Sequence, residues 1–155
     1  MNIARWMIAY GFCALMAGAA LAVTGQAISL GCMGLEGCTA GFNFSGVLDQ
    51  FDALNALKGT LIFLPIVALV GFVPALIIFG LPEAIGIRPS GLRNALISAV
   101  FVGAPFLYMY WQMGGNTLAP LLTHQLFLPA TMAAVIGGLT LGWLRQGPLC
   151  YRKPE

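Results

Sequence analysis

HQLFLPATMAAVIGGLTLGWLR, residues 124–145, is the stretch on which the fold turns. It carries no charge between Gln125 and Arg145, and at about 20 apolar residues it is long enough to cross a ~30 Å hydrocarbon layer. Ala130, Ala134, Gly138 and Gly142 recur at every fourth position, so a helix stacks them as a ridge of small side chains. In lipid such a ridge lets a second helix come close, because dispersion contacts replace the hydrophobic effect as the driving force there. Trp143 and Arg145 close the stretch as interfacial anchors do.

The rest of the chain shares this chemistry. Of 155 residues, 59% are hydrophobic and 8% charged, against about 25% charged in an ordinary soluble domain. A soluble fold of this length could not hide so much apolar surface, since small domains bury only about two thirds of what their chains expose. A net charge of +2 from so few ionisable groups gives no case for nucleic acid. The chain is therefore expected to be one transmembrane domain over residues 1–155, all-α and polytopic. The expected architecture is an up-down bundle of four helices spanning residues 6–30, 59–81, 92–113 and 124–145.

The first span, WMIAYGFCALMAGAALAVTGQAISL, has its own small ridge at Ala14, Gly18 and Ala22, which predicts that the first and last helices meet ridge to ridge. Arg5 ahead of it and Ala20-Leu21-Ala22 within it make a cleaved signal peptide the competing reading; the length of the apolar run favours retention. Residues 31–58 form the one sizeable segment outside the spans. It opens on the glycine-rich GCMGLEGC, then places Phe44, Val47, Leu48, Phe51 and Leu54 on one helical face, with Ser45 able to cap the start. Lacking basic residues on its polar face, this amphipathic helix reads as a lid over the bundle rather than a lipid-recruited helix. In the second and third spans, Pro65, Pro74 and Pro105 each remove a backbone donor, which predicts kinks.

Charge placement predicts the threading. Arg5, Arg88, Arg93, Arg145, Arg152 and Lys153 fall on one side and only Lys58 on the other, so both termini, including the tail 146–155, are expected in the cytoplasm. Trp6 and Trp143 would mark the inner boundary and Trp111 the outer one. Glu83 and Arg88, in the connection after the second span, read as a solvated pair of little energetic worth.

The inventory of reactive side chains is short. Cys32 and Cys38 share the outer glycine-rich turn, where an oxidising compartment favours a disulfide. Their spacing differs from the Cys-x-x-Cys of thiol oxidoreductases. Cys13 reads as buried packing and Cys150 as a free thiol or acylation site. Asn43-Phe44-Ser45 is a glycosylation triplet, meaningful only in a eukaryotic secretory route. His124, the single histidine, admits a haem with one axial ligand but excludes a bis-histidine haem within the chain. Met109 and Met113 share a face at i, i+4. With His124, Met33 and the outer cysteines they form a soft donor set suited to Cu(I), while the plainer role of such methionines is to fill gaps between helices.

No metalloprotease, nucleotide-binding or triad pattern is present, and no Asp, Glu, Lys or Arg lies in the interior of an expected span, Arg93 and Arg145 falling at the ends of theirs. The sequence thus favours a non-enzymatic membrane subunit or interaction protein, packing against other membrane chains or its own copies through small-residue faces. An oligomeric channel or carrier for a small neutral solute is the first alternative, with Gln26, Tyr108, Gln112 and His124 as lining residues beside Thr24 and Ser98. A redox or metal protein using haem or copper at His124 and the outer sulfurs is the second.

Overall fold

The computed structural model describes residues 3–31, 44–88, 90–112, 114 and 127–146. Among these the chain is all-helical and contains no strand. Helix α1 runs Ile3–Gly31, α2 Phe44–Gln50, α3 Ala53–Ala75, α4 Leu81–Ala84, α5 Gly91–Gln112 and α6 Phe127–Gln146. A π-helical turn, Leu76–Gly80, joins α3 to α4, so Ala53–Ala84 forms one rod of 32 residues. Four helices are long and apolar enough to cross a membrane: α1, the α3–α4 rod, α5 and α6.

The amphipathic stretch after residue 44 does not form a single lid. Helix α2 stops at Gln50, and Asp52 turns extended (φ −106°, ψ 106°) so that its Oδ1 accepts from Leu54 N–H at 2.8 Å. A carboxylate in that position satisfies one of the donors that a helix start leaves unpaired. With its amide turned to the orientation that satisfies both of its polar atoms, Gln26 brackets the same residue, accepting from Asp52 N–H (3.1 Å) and donating to its carbonyl (3.3 Å). Of the five apolar residues expected to press on the bundle only Val47 is buried; Phe44, Leu48, Phe51 and Leu54 face outward. Asp52→Ala should lower stability by about 1 kcal/mol, read from the thermal unfolding midpoint in mild detergent. An unchanged midpoint would show that the cap contributes nothing.

The helix continues through Pro65 and Pro74, and the irregular turn comes after them. Pro82 supplies the reason. In a regular helix its ring would collide with the carbonyl four residues back, and it has no N–H to give. Widening the turn avoids both problems, and Leu81 N–H bonds Leu76 O, five residues back. The rod then ends in a Schellman motif: Ile87 N–H reaches Pro82 O (2.9 Å) and Gly86 N–H reaches Glu83 O (3.1 Å). This motif requires a left-handed residue at its bend, and Gly86 supplies φ 91°.

Helices α1 and α6 pack together at the centre; α3 lies against α1, and α5 against α6. The two central helices do meet, but not ridge to ridge. Gly18 faces the α3 backbone, its missing Cβ being 3.5 Å from Leu64 N and 3.6 Å from Thr60 O, and Ala22 meets Gly59 of α3. Gly138 and Gly142 face α5, against Asn94 O and Gly91 Cα. The α1–α6 seam uses other positions, with Gly137 against Cys13 and Ala17. One end of each ridge, Gly18 with Ala22 and Gly138 with Gly142, therefore holds an outer helix. Tight backbone approach is needed most where a helix has only one neighbour to pack on.

Candidate binding groove

Helices α3 and α5 scarcely touch each other. Between them opens a groove of about 350 Å³, walled by Val67, Ile78 and Phe79 on one side and Ser98, Phe101 and Val102 on the other. Its floor comes from α1 and α6, which contribute Ala14, Ala17, Ala130, Ala133, Ala134 and Gly137. Short side chains on the floor create the depth, and branched and aromatic ones on the walls create the height. At one end Tyr10 donates to Ala68 O at 2.7 Å, an approach made possible because Gly71 carries no side chain; a Cβ there would sit 3.2 Å from the hydroxyl. Cys13, a free thiol, also borders the groove.

Four residues beyond that end, every helix contributes a polar group. Tyr10 leads back to Trp6, Ser98 back to Asn94, Leu141 on to Arg145 and Phe79 on to Glu83. Three of these four are almost wholly buried: Trp6 and Asn94 at 1% exposure and Arg145 at 2%. The Glu83 side chain is 13% exposed. Arg145 Nε donates to Glu83 Oε2 at 3.0 Å and Nη2 donates to Oε1, a two-pronged ion pair that clasps the α4 segment to the end of α6. Its place in the last turn of α6 also suits the negative end of that helix. The Trp6 indole stacks on Tyr10 (centroids 5.5 Å, planes 2° apart), with Phe72 edge-on to both rings. Trp6 Nε1 and Asn94 Oδ1 have no hydrogen-bond partner among the described residues; Thr131 Oγ1, near the other end of α6, is the third such atom.

Two expectations are corrected here. Arg145 does not reach outward from the end of the last helix as a snorkelling anchor would. It is buried, and it takes Glu83 as its partner in place of Arg88, which is exposed. Trp6 is packed in the core rather than presented outward, whereas Trp111 and Trp143 are exposed at 74% and 64%. The pairing of residues 62 positions apart leaves no local signal. The clue that sequence offers is only that a guanidinium at the end of an apolar stretch needs a carboxylate when the bundle covers it.

The other predicted site residues do not converge. Gln26 is engaged with Asp52, and Thr24 donates back to Ala20 O within its own helix. Tyr108, Met109 and Gln112 lie exposed on α5, away from the groove. Only Ser98 of the polar set lines it. Cys32, Cys38, Asn43, Met113, His124 and Cys150 lie outside the described residues. Among the described residues no three of His, Cys, Asp and Glu are grouped to hold a metal ion.

Groove and helices together define a class: an all-helical chain, with four helices apolar enough to span a bilayer, that keeps an apolar groove between two of them. No protein family, curated protein or solved structure was found that matches the chain.

Proposed function

We propose that the chain is a four-span integral membrane protein of the inner or plasma membrane, with both termini cytoplasmic. In this reading it performs no reaction of its own and holds an apolar partner in the α3–α5 groove. The observation that carries it is the separation of the two walls over a floor of alanine and glycine. Dense packing is the rule inside proteins, and a slot this size lined by apolar groups invites an apolar occupant. Part of each small-residue face first assigned to assembly (Gly18 with Ala22, and Gly138 with Gly142) is used within the chain, and the remainder, Ala14, Ala130 and Ala134, lines the groove. The outward-facing apolar residues of α2 fit a helix lying in the headgroup region. The rod Ala53–Ala84, about 48 Å long, exceeds a ~30 Å hydrocarbon layer and fits a tilted span.

A photoreactive amino acid placed at Val67 or Val102 tests this in native membranes. Specific adducts should form at both groove positions and not at Leu96, which faces outward. Adducts no stronger at the groove than at Leu96 would remove the reading. The threading has its own check: after reduction with an impermeant phosphine, impermeant thiol reagents applied from outside should reach Cys32 and Cys38 and spare Cys150. Labelling of Cys150 alone would invert it.

A further inference from the structure

The long rod changes phase just before it reaches Arg145. Along α3, the positions that meet α1 include Thr60 and Leu64 against Gly18, Gly71 against the Tyr10 hydroxyl, and Ala75 in the cluster of Trp6 and Tyr10. Their spacing of four, seven and four residues is that of one face of an α-helix. The next position turned to α1 is Gly80, five residues on, where a Cβ would lie 3.4 Å from the Trp6 ring. Glu83 follows three residues later and takes Arg145 as its partner. A continuous α-helix would have presented Phe79 and Pro82 in their place. The five-residue step falls on the π-helical turn Leu76–Gly80, in which Leu81 N–H bonds Leu76 O.

We infer that Pro82 and this turn form a phase-setting device: by taking up one extra residue, the turn rotates the end of the rod by about 100° and so aims Glu83 at Arg145. Pro82 acts through the backbone. It has no N–H to place in a regular turn, and its ring would meet the carbonyl of Ile78, so the wide turn is the form of helix it favours. Glycine suits position 80 in the new phase, since a larger side chain there would press on Trp6 and on Leu76 Cδ1, 2.9 Å from the added carbon. The turn also leaves Phe79, rather than Gly80, beside Ile78 on the groove wall. Unrotated, Glu83 would leave the rod on another side, and the buried Arg145 guanidinium would lose its carboxylate. None of this depends on an occupant of the groove.

A double-mutant cycle between Glu83→Leu and Arg145→Met, run on the full-length chain in mild detergent, reads the pair as a coupling in the unfolding equilibrium constant. With Pro82 in place the coupling should exceed about tenfold. In a Pro82→Ala background, where a regular helix becomes possible, it should fall to within about twofold of none. Deleting Ile77, an outward-facing residue of the turn, from the Pro82→Ala chain lets a regular helix bring Glu83 round again. The coupling should then return to more than about tenfold. A proline that only stiffened or filled the turn would not be compensated by the loss of a neighbour. Coupling absent from the parent chain, or unmoved by Pro82→Ala, overturns the proposal, and so does coupling lost there but not restored by the deletion. Should Pro82→Ala alone fail to fold, the shortened chain decides by itself: it folds and shows the coupling, or the phase account falls.

Discussion

Replacing Arg145 alone by Met is expected to destabilise the protein by about 3–5 kcal/mol, and adding Glu83→Leu to recover most of that loss. The single change leaves a largely buried carboxylate whose only described partner has gone. Taking a carboxylate out of water costs several kcal/mol unless a cation and hydrogen bonds compensate. The double change removes both charges, and side chains of similar volume refill the site. A double-mutant cycle on unfolding midpoints in mild detergent measures the difference. Additive effects, with the double variant as unstable as the sum of the singles, would mean that the pair is not coupled and that the clasp between α4 and α6 is held by other contacts.

Glycine-to-alanine changes are expected to differ in sign according to what lies opposite. At Gly142 a Cβ would sit 2.5 Å from Gly91 Cα, 2.6 Å from Gly91 N and 2.7 Å from Ser90 C. All three are backbone atoms, so no rotamer change relieves the clash and α5 itself must move away. Overpacking of this kind costs about 1–3 kcal/mol or more. Gly11, Gly25 and Gly103 have nothing within 4 Å of the same built atom. Alanine there should stabilise by up to about 1 kcal/mol through reduced backbone freedom in the unfolded chain. Unfolding midpoints of the four single variants settle the matter. Should Gly142→Ala prove as harmless as Gly11→Ala, the close approach of α5 to α6 is not real.

Much of the fold was legible in the sequence because apolar length is a local property. Residues 6–30, 92–113 and 124–145 needed only their own composition to be read as long helices, and their ends moved by a few residues. The second helix moved more. Its start shifted to Ala53 because Asp52 is a cap, and the same residues also satisfied the pattern of an amphipathic lid. A three- or four-residue spacing of apolar groups marks a helix without saying whether lipid, water or another helix covers that face.

The site was far less legible. Tyr108, Gln112 and Gln26 drew attention as polar residues in apolar surroundings, yet each is exposed or satisfied locally. The floor of the groove is mostly alanine, which announces nothing alone. Trp6 and Arg145 resembled interfacial anchors because their sequence neighbours are those of anchors, while their burial depends on helices far along the chain.

By itself the sequence determined that this chain forms four long apolar helices, where three of them lie and which positions bear small side chains, since each follows from residues in continuous order. Which ridge meets which helix was decided only in three dimensions. So were the pairing of Glu83 with Arg145 and the gap between α3 and α5. The reason is physical: a helix offers several faces of similar apolarity, and the choice among them is made by shape complementarity between segments far apart in the chain, as Gly137 against Cys13 and Gly142 against Gly91 show.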